Sequence, residues 1–159
     1  MKHQQEWIKD PHMAEVSLSY RSNPENRDNP IISCPDNAYE YIKQIWDDDK
    51  LELQEEFIVL LLNNAKRVIG WSKISTGGAT STIVSPSNVM QVAMLANARS
   101  IILAHNHPSA EPGEIKPSRS DIRLTRSIKS VLLHAHITVE DHLILVRGGY
   151  YSFKEHGQL

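Results

Sequence analysis

Two short apolar runs constrain this chain more than anything else in it: Phe57-Ile58-Val59-Leu60-Leu61-Leu62 and Ile101-Ile102-Leu103-Ala104. Each falls far short of the ~20 residues that cross a bilayer. Both therefore read as buried strands of a water-facing domain rather than as membrane helices. The first run ends at the turn residues Asn63 and Asn64 and is followed by a second extended stretch over Val68 to Ile74, the pattern of a central hairpin. With 40% hydrophobic residues in a length of 159, the chain has material for one compact core and too little for two.

Helical signals surround these strands. Ser33 to Asp36 supplies start signals, and Ala38, Tyr39, Ile42, Ile45 and Trp46 recur at helical spacing, which predicts a helix ending near Asp47 to Asp49. Ser85-Pro86 reads as an N-cap followed by proline at the first helical position, with Val89, Val92, Ala93 and Ala96 on the buried face. A third helix is predicted from Ser118 to about Leu133. A short strand is expected at about Ser81 to Val84, one or two more over Ile137 to Val146, and a last one at Tyr150 to Phe153 after the Gly148-Gly149 turn. Near the amino terminus Val16, Leu18 and Tyr20 alternate with polar residues as in a half-buried strand. The expected organisation is an extended or disordered segment over residues 1–13 and a single domain over residues 14–159. Its class is α+β, or mixed α/β, with a mixed sheet packed by about three helices.

Charge and cysteine usage narrow the function. A net charge of −2 with 23% charged residues gives no global pull onto nucleic acid or an anionic membrane. Cys34 is the single cysteine, so neither an internal disulfide nor a thiolate zinc cluster can form within one chain, and a reducing, cytoplasmic setting is expected. Met1 to His12 is polar and does not read as an export signal. Local charge is more pointed: Arg119, Arg123 and Arg126, with Lys116 and Lys129 nearby, share one side of the third helix. This is either a solvated face or a basic stripe suited to an acidic peptide tail or a nucleic-acid backbone.

The chemistry lies in Ala104-His105-Asn106-His107-Pro108-Ser109 and in Lys116-Pro117-Ser118-Arg119-Ser120-Asp121. Side chains alternate along a strand, so His105 and His107 project to one side and can share a metal ion. Asp121 would add a third ligand and leave the fourth position for water, the arrangement of a catalytic zinc. Each motif also has an ordinary explanation: His-x-His as a polar pair at a strand end, and Ser118-x-x-Asp121 as a variant capping box. Capping and ligation do not exclude each other. His134 and His136 repeat the i, i+2 spacing without an accompanying carboxylate and read as surface or packing residues. His142, beside Asp141 and before a buried run, reads as a structural residue or a support for a metal ligand, with a direct role in the site as the alternative.

His-x-His, ten residues, then Ser-x-x-Asp, with a glutamate about fifty residues upstream, resembles the JAMM metalloprotease motif. Glu55-Glu56-Phe57 with Val59 to Asn63, Ile101 to Ser109, Pro117 to Asp121 and Asp141-His142-Leu143-Ile144 resemble, more narrowly, the bacterial RadC-like JAB domain, historically labelled a DNA-repair family. The resemblance runs from about Glu52 to Phe153. It differs from the family pattern at Ala110, where glycine is common, and in a loop from Ala110 to Pro117 about three residues longer than usual. No counterpart of the helix-hairpin-helix segment found in full-length RadC proteins is recognised.

The resemblance implies a JAMM/MPN-like, cytidine-deaminase-like sheet and one Zn2+ per chain on His105, His107 and Asp121. It implies Glu55 as the general base, with Glu56 the alternative, and Ser118 as a hydrogen-bond donor to the oxyanion. The expected activity is metallopeptidase or isopeptidase cleavage of an amide in a protein or peptide substrate. The alternatives are a DNA-repair-associated factor that meets DNA weakly through Arg119, Arg123 and Arg126, and a binding module without turnover.

Overall fold

A computed structural model of the chain describes residues 28–77 and 83–159. The alternating stretch at Val16 to Tyr20 and the segment 1–13 lie outside the described residues. In chain order the elements are α1 (Pro35–Ile45), β1 (Glu56–Leu62), β2 (Val68–Thr76), α2 (Pro86–Leu95), β3 (Ser100–Asn106), α3 (Arg119–Leu133), β4 (Thr138–Val146) and β5 (Gly149–Ser152). A short 3-10 turn sits at Pro112–Glu114 before α3.

The strands form one mixed sheet in the order β2-β1-β3-β4-β5. β3 and β4 run parallel, while the other neighbours are antiparallel. A parallel pair needs a long crossover, and α3 supplies it. Every residue of β1 and β3 is buried, so their continuous apolar runs reflect a sheet covered on both faces. On one face Ile58, Leu60, Leu62, Ile102 and Ala104 pack against Ala38, Ile42 and Trp46 of the α1 segment. On the other, Phe57, Val59, Leu61, Ile101 and Leu103 pack against Val89 and Ala93 of α2 and Ile128 and Leu132 of α3. Each fully buried Leu, Ile or Phe in these layers contributes roughly 1.5 to 3 kcal/mol by leaving water.

Local chemistry sets the element ends. Pro35 and Pro86 open α1 and α2 from the first turn, where a missing N–H costs nothing. The β1–β2 turn is built by Asn63, whose Oδ1 accepts from the N–H groups of Ala65 and Arg67. α1 stops at Ile45, short of the expected Asp47 to Asp49, because Trp46 adopts extended backbone as the C-cap. Its indole lies in the α1-side core. Of the strand expected at about Ser81 to Val84, residues 81 and 82 lie outside the described residues, and Ile83 and Val84 belong to no strand. Ile83 is 93% exposed. Among the described residues no helix is long and apolar enough to cross a membrane.

Candidate metal centre

Strand alternation assigns the faces of the site. Phe57 of β1 pairs with His105 of β3, and both point to the α2/α3 side of the sheet. His107 follows just past the strand, its N–H held by the carbonyl of Leu145 on β4. The crossover then brings the first turn of α3 over the same strand end. His105, His107 and Asp121 thereby converge into a group that could hold a metal ion.

The spacing of the donor atoms fits a metal ion. His105 Nε2 lies 3.0 Å from His107 Nε2, and each of these nitrogens is 3.5 Å from an oxygen of Asp121. Tetrahedral zinc with N and O ligands puts its donors about 3.3 to 3.6 Å apart. Both histidine–aspartate distances fall in that range, His105 to Oδ1 and His107 to Oδ2. The histidine edge is shorter and involves His107, the more exposed of the two rings at 24% against 2%. Burial pushes the Asp121 carboxyl up, but the adjoining His105 and His107 rings and the Ser118 side chain outweigh it and hold it well below the usual carboxylate range.

Asp121 does two jobs. Its Oδ2 accepts from the backbone N–H of Ser118 at 2.7 Å, while Ser118 Oγ accepts from the Asp121 N–H at 3.1 Å. This reciprocal pair closes the start of α3 as a capping box. Accepting that bond occupies a lone pair of Ser118 and leaves its O–H free to donate, at present within 2.7 Å of Ser120 Oγ. Ser118→Ala should therefore lower thermal stability by about 1 kcal/mol, the worth of an N-cap. A melting curve that does not move would show that the cap contributes nothing here.

One cleft of about 710 Å³ joins these residues, and Glu55, His105, His107, Ser118 and Asp121 all line it. Glu55 shares the face of Phe57. Glu56 points to the opposite side, is buried, and binds Lys73 Nζ at 2.8 Å and Gln54 Nε2 at 3.2 Å. Phe57, Ile83, Val84 and Leu124 give the cleft an apolar wall. Arg119, Arg123 and Arg126 are exposed and are not among its lining residues. His134 and His136 are exposed at the end of α3, His136 with φ 54° in the turn to β4.

Two supporting residues escaped the sequence reading. Asn106, between the two histidines and so on the opposite face, is completely buried. Its Nδ2 donates to the carbonyls of Leu51 and Gln54, and its Oδ1 accepts from the Glu56 N–H at 2.7 Å. These bonds tie the segment carrying Glu55 to the end of β3. A buried asparagine must satisfy its whole amide, and its position in a buried strand was the signal available. The other is Thr125, buried on α3 and within 2.6 Å of His142 Nδ1.

His142 reaches the site because the β3–β4 register shifts: Ile101 pairs with Val139 but Ile102 pairs with Asp141. The extra residue turns His142, rather than Asp141, to the α2/α3 side. The ring is completely buried and stacks on Phe153 with centroids 4.7 Å apart. Burial, with the neighbouring His105, pushes its pKa well below the ordinary histidine value. Asp141 turns away, bonding Ser152 Oγ and the N–H groups of His142 and Lys154.

A five-stranded mixed sheet with three α-helices, carrying two imidazoles at a strand end and a carboxylate at the following helix start, defines a JAB/MPN-like domain. The family model of the RadC-like JAB domain matches residues 32–158, and the chain belongs to that family. It is 35% identical over 147 residues to a UPF0758 protein of Photobacterium profundum, covering 92% of this chain and 63% of that one. It is 38% identical to a UPF0758 protein of Rubrobacter xylanophilus over 92% of this chain and 62% of the relative. With UPF0758 protein YkfG of Escherichia coli the identity is 44% over 106 residues, 67% of this chain and 65% of the relative. The match thus spans less than two thirds of the length of these relatives.

Proposed function

We propose that the chain is a zinc-dependent hydrolase that cleaves an amide bond in a protein or peptide. The observation that carries this reading is the meeting of Glu55 with His105, His107 and Asp121 in one cleft. A zinc ion held there would supply Lewis acidity to a carbonyl oxygen and lower the pKa of a water. His105, His107 and Asp121 would hold the ion, beside the cleft they line. Glu55 takes a proton from the attacking water and passes it to the nitrogen as the C–N bond breaks, so that a carboxylate and an amine result. The Ser118 O–H, which capping leaves available, donates to the oxygen of the carbonyl as charge develops on it.

The cleft's walls favour peptide over nucleic acid. Among the described residues none of its lining side chains is a lysine or arginine, the groups that would meet a phosphodiester backbone. The test sets the zinc-loaded chain against a peptide library beside duplex and single-stranded DNA at several salt concentrations. The expected result is metal-dependent peptide cleavage, with weak DNA binding. Metal-dependent strand scission without peptide cleavage, and salt-sensitive DNA binding lost when Arg119, Arg123 and Arg126 become Gln, would transfer the assignment to a DNA-acting protein.

A further inference from the structure

The histidine that faces His105 from β4 belongs to a chain of hydrogen bonds whose direction can be worked out from one end. Thr125 Oγ1 lies 2.7 Å from the main-chain carbonyl of Asp121, and a carbonyl can only accept, so the threonine proton is committed to it. Thr125 Oγ1 must then accept from its other neighbour, His142 Nδ1, at 2.6 Å. With one ring proton, held on Nδ1, His142 has a lone pair on Nε2. That lone pair faces His105 Nδ1 at 2.8 Å, so His105 Nδ1 is the donor. A neutral His105 with its proton on Nδ1 presents a lone pair at Nε2, the atom beside His107 Nε2 and Asp121 Oδ1.

We infer that His142 and Thr125 are positioning residues of the metal centre. They hold His105 in the one tautomer that can ligate through Nε2, and they join that ring to the backbone of Asp121. The inference rests on His105, His107 and Asp121 being metal ligands and is independent of what bond the protein cleaves.

The surroundings fit a residue held for orientation. His142 is wedged between Phe153, stacked at 4.7 Å, and Phe57, edge-on at 5.6 Å, so its ring cannot turn without displacing an aromatic neighbour. Among the described residues no carboxylate bonds its ring: Asp141 takes the main-chain N–H of His142 instead. Each polar atom between His105 and the Asp121 carbonyl has one partner on each side. Groups that hold the far nitrogen of a ligand histidine in this way commonly contribute 10- to 100-fold to metal affinity.

The test uses zinc and cobalt(II) as probes on the full chain. Zinc affinity is measured by competition with a chromogenic chelator, and cobalt(II) reports ligand geometry through its visible absorption. His142→Phe, which fills the same aromatic slot without polar atoms, should weaken zinc about 10- to 100-fold and alter the cobalt spectrum. Thr125→Val should weaken zinc several-fold. His142→Gln, whose amide can accept from His105 and donate to Thr125, should recover most of the affinity. Nitrogen-proton correlation spectra of the zinc-loaded parent give a check that needs no variant: His105 and His142 should both carry their proton on Nδ1. Failure of the parent to bind zinc stoichiometrically overturns the ligand set and this inference with it. Stoichiometric binding by the parent, with unchanged affinity and cobalt spectrum in His142→Phe, or with the His142 proton on Nε2, overturns the positioning role alone.

Discussion

Glu55→Gln is expected to leave the fold and the bound metal intact while peptide hydrolysis falls by roughly 100-fold or more, the scale of removing a placed proton-transfer group. Glu56→Gln is expected to do the reverse. Glu56 shares neither the face of Phe57 nor the cleft, and its carboxylate is the partner of Lys73 and Gln54. Its replacement should leave turnover within a few-fold and lower stability by about 1 to 2 kcal/mol, because a buried acceptor loses its charge while the lysine stays partly solvated. Turnover with zinc loaded, metal content and melting temperature, measured on both variants, separate the two roles. If Glu56→Gln abolishes turnover and Glu55→Gln does not, the base has been assigned to the wrong residue.

The second large effect concerns the metal itself. Each of His105→Ala, His107→Ala and Asp121→Ala should bring zinc content from about one per chain to well below that. Ligand binding to the native state alone stabilises it by about 4 kcal/mol when free ligand is roughly a thousand times Kd. Zinc should therefore raise the melting temperature of the parent and not of these variants. The apo variants should also differ among themselves. His107→Ala removes a ring that is 24% exposed and should be mild, whereas Asp121→Ala also removes half of the α3 capping box. Elemental analysis and melting curves with and without zinc read both effects. Stoichiometric zinc in the two histidine variants would show that the ion sits elsewhere.

Much of this arrangement was legible in the sequence because it rests on two periodicities. Period-2 alternation put His105 and His107 on one side of a strand, and the same rule separated Glu55 from Glu56. Ser118-x-x-Asp121 announced both the start of α3 and the position of its carboxylate. What stayed hidden depended on register and on contacts between distant segments. Alternation carried forward from Val139 puts Asp141 on the α2/α3 side and His142 on the α1 side; the one-residue shift at Ile101 and Ile102 reverses them, and no local signal marks it. Nothing in the sequence sets Thr125 apart from its helical neighbours, because its partner His142 lies on a different element. The stretch around Ile83 carried strand-like composition, yet at 93% exposure Ile83 lacks the half-buried surface that β-branched residues favour.

The side chain of Asn106 bears on how the central strands find one another. β1 and β3 are apolar on both faces and buried along their whole length. For a strand with one face buried, a slip of one residue is punished because it turns an apolar face to water. Here Ile101, Ile102, Leu103 and Ala104 would be buried after a slip as well as before it, so hydrophobicity alone discriminates poorly between pairings. Asn106 does discriminate, since its three bonds to Leu51, Gln54 and Glu56 exist in one alignment only. In any shifted alignment a buried amide loses its partners, at a cost of roughly 1 to 3 kcal/mol for each unsatisfied group. The polar residue between the two histidines thus acts as the index mark of the sheet, and the alignment it selects is the one that turns both imidazoles toward Asp121.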